Sequence, residues 1–291
     1  MLSLDCKILK NEPLSEHCSF KVGGPVDLFI EIPNERALYV FLNSISTGDY
    51  FVLGSGTNVL FADKGYRGTV ISLTDEFKKI SVFGEEISSG SGTSLSTILM
   101  IALQNRLTGF EFAAGIPGTV GGAIYGNAGT KEKWIGSVIK NIEVYKNFNK
   151  EFIDREKIEF GYRKSGLSNN VVTRVTFALK KNTRNNNLNV VRDNIVKRLI
   201  TQPLSMPNAG SIFKNPSDSV YSAGELIEKS DLKGVCVGNA QISKLHGNFI
   251  VNTGGALARD IFALIDLMKT KVKEKFNINL EIEVNIINEK F

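Results

Sequence analysis

Cysteine and histidine are scarce. Three cysteines (Cys6, Cys18, Cys236) and two histidines (His17, His246) are scattered over 291 residues. The cysteines are odd in number and lack CxxC or zinc-ligand spacing, so reduced thiols in a cytoplasmic protein are expected and no metal site is predicted. Without HExxH, CxxC or a Ser-His-Asp order, hydrolase and metalloenzyme readings have no residues to rest on. No apolar run approaches the ~18 residues that a membrane span requires. Charges interrupt every apolar stretch of the opening MLSLDCKILKNE, so no signal peptide is predicted there. An excess of charge is also missing: 35 Lys and Arg against 30 Asp and Glu leave +5. That balance suits small anionic ligands and is too weak and scattered for nucleic acid.

Glycine is abundant in two places. Glu111–Gly129, EFAAGIPGTVGGAIYGNAG, holds six glycines in nineteen residues. Such density costs backbone entropy and is used where the chain must come close to a ligand or to another segment. Gly115, Gly118, Gly121 and Gly122 open the backbone, Pro117 stiffens the turn beside Ile116, and Thr119 and Ala123 keep it slim. A second run, Leu53–Leu60 (LGSGTNVL), follows an apolar strand-like segment and offers Gly54, Ser55, Gly56, Thr57 and Asn58. Neither run has the third glycine of the dinucleotide fingerprint or the Gly-Lys-Ser/Thr of a Walker loop. The two runs predict a long phosphate-bearing cofactor clasped from both sides by backbone amides.

Periodicity organises the remainder. Strands are predicted at Val26–Ile32, Tyr50–Leu53, Thr69–Leu73, Ile142–Tyr145, Glu151–Ile153, Val171–Leu179 and Leu280–Ile287. Helices are predicted at Asn34–Ile45 with Asn34 as N-cap, at Ser94–Leu107, and at Leu188–Ile200 with Leu188, Val191, Ile195, Val196 and Leu199 aligned. A Ser222/Glu225 capping box opens another helix, and Ala256–Phe276 is the longest, with Ile261, Ile265, Met268 and Val272 as its buried stripe. The Asn-rich stretch Asn182–Asn189 marks a boundary. These segments divide the chain into 1–74, 75–184 and 185–291, an α+β arrangement of two α/β units and a helix-rich C-terminal domain.

Three residues outside the glycine runs could carry chemistry. Arg163, beside Tyr162 in a turn between strands, has a fork suited to a carboxylate. Ser211, in NAGSIFKNP, offers a hydroxyl in a glycine-flanked turn with Lys214 close by. Glu283 alternates with Glu281 on one face of the last predicted strand. Taken singly, each also reads as an ordinary surface arginine, turn serine or solvated glutamate.

Taken together, the segments FKVGGPVDLFIE, LGSGTNVL, GFEFAAGIPGTVGGAIYGNAG, GYRKS, QPLSMPNAGSIFKNP, GNAQISKLHGNFIVNTGG and LEIEV resemble the MurB family, in the family's order and over nearly the whole chain. The resemblance implies a vanillyl-alcohol-oxidase/PCMH-type fold. Two subdomains, 1–74 and 75–184, would grip FAD, and a substrate-binding domain, 185–291, would return its last strand to the FAD domain. It implies FAD bound through Gly54–Asn58 and Gly115–Ala123, non-covalently because neither loop has a His or Cys. The family reaction is NADPH-dependent reduction of an enolpyruvyl ether of UDP-N-acetylglucosamine in peptidoglycan precursor synthesis. In that reaction Arg163 and Glu283 would stabilise enolate-like charge and Ser211 would protonate carbon. Tyr162, Lys214, Asn215, Gln241 and Asn248 would contact nicotinamide or the UDP-sugar. A cytoplasmic monomer of the family's shorter form, with no membrane or nucleic-acid partner, is expected. Two alternatives are a flavin oxidase of the same fold, which would consume oxygen without NADPH, and a flavin-binding module without catalysis.

Overall fold

Asn34 caps the first helix as predicted: its side-chain oxygen accepts from Ala37 N at 2.9 Å, and Glu35–Ser44 (α1) follows. The computed structural model describes residues 5–45, 50–146, 149–167, 170–182 and 187–287. Its contacts divide the chain into two units. One comprises Met1–Leu9, Leu28–Ser55 and Thr69–Lys197; the other comprises Lys10–Asp27, Gly56–Gly68 and Arg198–Phe291. The chain passes between them inside the first glycine run, at Ser55–Gly56.

In the first unit, α1 buries Ala37, Leu38, Phe41 and Leu42 against Ile30, Ile32, Ile71 and Leu73. These last four come from the strands Pro25–Ile32 and Tyr66–Leu73, and Tyr50–Val52 runs parallel to the latter. A second core forms under an antiparallel sheet ordered Asn149–Asp154, Ile139–Lys146, Val171–Ala178, Glu86–Gly90 and Ile80–Phe83. Leu95–Gln104 (α2) and Val120–Tyr125 (α3) contribute Leu95, Ile98, Val120 and Ile124 to that core. Helix α2 stops three residues before its predicted end, because Leu107 leaves it to pair with Lys181 in a two-residue ladder.

The helix predicted at Leu188–Ile200 forms as Asn187–Thr201 (α4), but it is held differently from the expectation. Of the aligned apolar residues only Val191 is buried; Leu188, Ile195, Val196 and Leu199 are exposed. Two side-chain amides dock it instead: Asn187 Nδ2 donates to Leu107 O at 3.0 Å and Asn194 Nδ2 to Glu111 O at 3.1 Å. Carbonyls at a chain turn need donors, and the asparagines supply them where an apolar stripe could not. Residues 183–186 of the predicted boundary lie outside the described residues.

The second unit is built on Ala258–Phe276 (α6). Its Ile261, Leu264, Ile265, Met268 and Val272 are fully buried, each contributing roughly 1.5–3 kcal/mol of burial energy. They pack near Ala223–Lys229 (α5), whose Ser222/Glu225 capping box is present, and near the sheet Cys236–Val237, Ala240–Ile242, Ile250–Asn252. The two carboxylate oxygens of Asp63 accept from Ala258 N at 2.7 Å and Arg259 N at 3.0 Å, satisfying the first amides of α6. The predicted closing strand is shorter than its alternating pattern: only Asn285–Ile287 forms a ladder, parallel to Val59–Phe61. Ahead of it, Ile282 makes a single antiparallel bridge with Phe213.

Candidate active site

In the first unit the two glycine runs touch. A Cβ placed on Gly54 would lie 2.3 Å from Thr119 Oγ1, so a side chain there would displace that hydroxyl. Thr119 caps α3, its hydroxyl accepting from Gly122 N at 3.3 Å. Gly54, Ser55, Gly115, Pro117 and Gly122 are exposed, and Gly115 and Gly118 have φ of 72° and 124°, closed to most side chains. Not every amide of the longer run is available for a ligand. Gly121 N donates to Ser91 O at 2.8 Å and Ala123 N to Thr119 O at 2.9 Å. The Ala123 side chain is in the core and Ile116 packs against it. Gly121–Ala123 thus anchor the run, and of Gly115–Thr119 the Ile116 amide is likewise taken, donating to Ala113 O at 2.9 Å. The partner segment of the anchor, Ser88–Thr93 (SSGSGT), leads into the predicted Ser94–Leu107 helix and has no sequence reading of its own, although its glycines, Gly90 and Gly92, are the available signal.

These bare, exposed, slender backbones fit the diphosphate of FAD, which Gly54–Ser55 and Gly115–Thr119 would hold. A Gly54→Ala variant should force Thr119 off its cap, a loss of about 1 kcal/mol, or roughly fivefold in an equilibrium. FAD affinity, followed by flavin fluorescence on titration, is expected to weaken at least that much; an unchanged affinity would mean that this approach does not serve the cofactor.

Arg163 lies in the same unit, in a two-residue turn closed by the Gly161–Lys164 bridge. Its φ of 57° is unusual for a residue with a side chain. The turn is tied to the end of the glycine run at several points. Asn127 Nδ2 donates to Gly161 O at 2.8 Å, Ser165 Oγ to Tyr125 O at 2.9 Å, and Arg163 Nη1 to Gly129 O at 3.3 Å. The guanidinium lies 5.4 Å from the exposed Tyr162 ring.

The second unit brings together Ser211, Lys214, Glu281 and Glu283. The segment around Phe213 runs antiparallel to that around Ile282. Glu283 N donates to Ile212 O and Lys214 N to Glu281 O, both at 2.8 Å. Lys214 and Glu281 also form an ion pair. The remaining half of the first glycine run joins this ribbon: Asn58 Nδ2 donates to Glu283 O at 3.4 Å, and Asn285 N to Asn58 O at 3.1 Å. Gly56, with φ 62°, packs so closely on His17 and Cys18 that a Cβ would sit 2.2 Å from His17 O. Thr57 is half-buried between them.

The turn leading to Ser211 is fixed by residues that sequence reading passed over. Asn208 Oδ1 accepts from Gly210 N at 2.9 Å, and its Nδ2 donates to Met206 O at 2.8 Å. Ser19 Oγ donates to Asn208 O at 2.6 Å, while Ser19 N donates to Gly56 O at 3.0 Å. The Asn208 bonds are local, whereas the partners of Ser19 are far apart in the chain, so no local pattern announces that contact.

The other predicted contacts separate by exposure. Asn215 is exposed and its Oδ1 caps α5 through Ala223 N at 3.1 Å. Gln241 Nε2 donates to Gly234 O at 3.1 Å, beside the exposed Cys236. Asn248 is different: it is buried, with both ends of its amide on the Phe213 peptide. His246 Nδ1 accepts from Asn248 N at 3.2 Å. Burial, aided by the Lys233 charge, holds that imidazole below its ordinary pKa, which keeps the ring neutral and able to accept. Buried Cys18 has its thiol pKa raised, chiefly by desolvation, and is not an activated nucleophile.

Known proteins resemble this chain over nearly its whole length. Residues 47–147 match the FAD binding domain, and residues 202–287 match the C-terminal domain of UDP-N-acetylenolpyruvoylglucosamine reductase. The reductase of that name from Clostridium kluyveri is 43% identical over 98% of this chain and 95% of its own. That of Alkaliphilus oremlandii is 39% identical over 97% and 94%. The crystal structure of UDP-N-acetylenolpyruvylglucosamine reductase (MurB) from Thermus caldophilus superposes with a TM-score of 0.84 at 34% identity, covering 97% of this chain and 98% of that one. The chain thus has an α+β FAD-binding fold with a C-terminal domain and belongs to the UDP-N-acetylenolpyruvoylglucosamine reductase (MurB) family.

Proposed function

We propose that the chain reduces the enolpyruvyl group of UDP-N-acetylenolpyruvoylglucosamine to the lactyl ether of UDP-N-acetylmuramate, using NADPH, in peptidoglycan precursor synthesis. The observation that carries this reading is local. In the second unit, Asn58 of a glycine run is hydrogen-bonded to the backbone of Glu283, whose own amide is bonded to the residue after Ser211. One scaffold therefore fixes a cofactor loop, a hydroxyl and a carboxyl.

Bound FAD supplies the two-electron redox chemistry linking NADPH to the alkene. Overall, one hydride equivalent reaches the terminal carbon and one proton the adjoining carbon, and NADP⁺ leaves. Negative charge grows on the enolpyruvyl carboxylate as the terminal carbon gains hydrogen. Arg163 holds that carboxylate through its fork, and Glu283, in its acid form, donates a hydrogen bond to it, lowering the barrier by placing donors where charge develops. Ser211 Oγ–H delivers the proton to carbon. Tyr162, Lys214, Asn215 and Gln241 bind nicotinamide or the UDP-sugar, Lys214 exchanging Glu281 for phosphate. The chain works as a cytoplasmic monomer on small molecules, without nucleic-acid or membrane partners, and its parts are 1–74, 75–184 and 185–291. Among the described residues no helix is long and apolar enough to cross a membrane.

Purified protein tests this directly. It should be yellow and should oxidise NADPH only when the enolpyruvyl sugar is added. A colourless preparation that FAD cannot reconstitute, or oxygen uptake without NADPH, would overturn it.

A further inference from the structure

Asn248 is 3% exposed, yet it spends a full primary amide on a single peptide group. Its Oδ1 accepts from Phe213 N at 2.9 Å and its Nδ2 donates to Phe213 O at 2.7 Å. The opposite amide orientation would face donor to donor and acceptor to acceptor, so the assignment is determined by the partners. The Asn248 backbone joins in: its carbonyl accepts from Ile212 N at 2.9 Å. On the other side, Ile212 O accepts from Glu283 N at 2.8 Å. The two residues after Ser211 are thus clamped between Asn248 and the Glu283 segment. Asn248 is itself held, through its own N–H, by His246 Nδ1.

We infer that Asn248 is a positioning residue for proton delivery: it sets the place of the Ser211 hydroxyl relative to Glu283 and touches no substrate. The inference rests on the proposed role of Ser211. A buried asparagine serving stability alone would cost folding free energy when replaced, through the orphaned Phe213 peptide, without favouring either half-reaction; one that aims Ser211 slows proton delivery selectively.

Asn248→Asp makes the test. Its carboxylic acid is nearly isosteric with the amide and can still donate to Phe213 O while accepting from Phe213 N; its carboxylate can only accept and repels Phe213 O. Burial keeps the introduced carboxyl protonated to higher pH than usual. In stopped flow with the holoenzyme, substrate-driven flavin reoxidation should be near wild type at low pH. It should fall at least about tenfold as the carboxyl ionises, since small misplacements of a reacting group cost this much or more. Flavin reduction by NADPH should not follow that profile.

A double-mutant cycle separates aiming from general damage. If Asn248 acts through Ser211, Asn248→Asp adds little to the slowing already caused by Ser211→Ala. Multiplying effects, a reoxidation rate indifferent to pH, or equal losses in both half-reactions would overturn the inference. If the Asp variant does not retain FAD, Asn248→Ser, which removes the clamp without adding charge, enters the same cycle with the same expected non-additivity. Should Ser211→Ala alone leave reoxidation unchanged, the role of Ser211 itself fails, an outcome distinct from failure of Asn248.

Discussion

Ser211→Ala is expected to slow reoxidation of the flavin by substrate at least about a hundredfold, the usual effect of removing a general acid, while flavin reduction by NADPH stays near normal. The expectation follows from what a hydroxyl can do. An alcohol is a poor acid toward an ordinary carbonyl, but a carbon centre carrying enolate-like charge is far more basic and takes its proton readily. The structure invests heavily in holding this one side chain. Gly210 turns the backbone into its site with φ 77°, and Asn208 and Ser19 secure the approach from one side. The Ile212–Glu283 and Ile212–Asn248 hydrogen bonds secure the exit. Truncation to Ala removes the oxygen and disturbs none of these bonds, so folding and FAD content should be unaffected. Stopped-flow spectra of the two half-reactions read the outcome. Equal slowing of both would mean that Ser211 shapes the site and does not donate the proton.

Features governed by short-range chemistry were legible before the fold was known. The Asn34 cap, the Ser222/Glu225 capping box and the buried stripe of α6 all follow from residues within a few positions of one another. The glycine runs were legible for a similar reason, since a backbone stripped of side chains advertises close approach wherever it occurs. What could not be read was the choice of partner for polar groups. Asp63 serves amides at Ala258 and Arg259, and Asn252 reaches Phe20 O at 3.0 Å. Each pairing is decided by topology, and Asp or Asn in a loop looks the same whether it faces water or a distant helix. The same cause explains one departure. Helix α4 was read from its apolar spacing, whereas Asn187 and Asn194 on another face decide how it docks.

Arg163→Lys conserves charge but is expected to lower turnover on the order of a hundredfold, the scale of losing one donor from a site where negative charge develops, and to raise KM as well. The reason is geometric. Arg163 already gives one N–H of its guanidinium to Gly129 O, and the planar group lies over Tyr162. A fork can serve that carbonyl and still present two parallel N–H groups to a carboxylate. An ammonium is a point donor on a flexible stem: it can replace the bond to Gly129 or meet the carboxylate, and cannot do both in plane. Backbone strain does not complicate the comparison, because φ 57° at this position is equally unfavourable for either side chain. Binding and catalysis should therefore fail together, since the carboxylate that anchors the substrate is also where charge accumulates as the alkene is reduced. A variant with higher KM and unchanged turnover would show that Arg163 contributes uniform binding only. In that case the stabilisation of the enolate-like charge would have to come from Glu283, and Glu283→Gln would become the more damaging substitution.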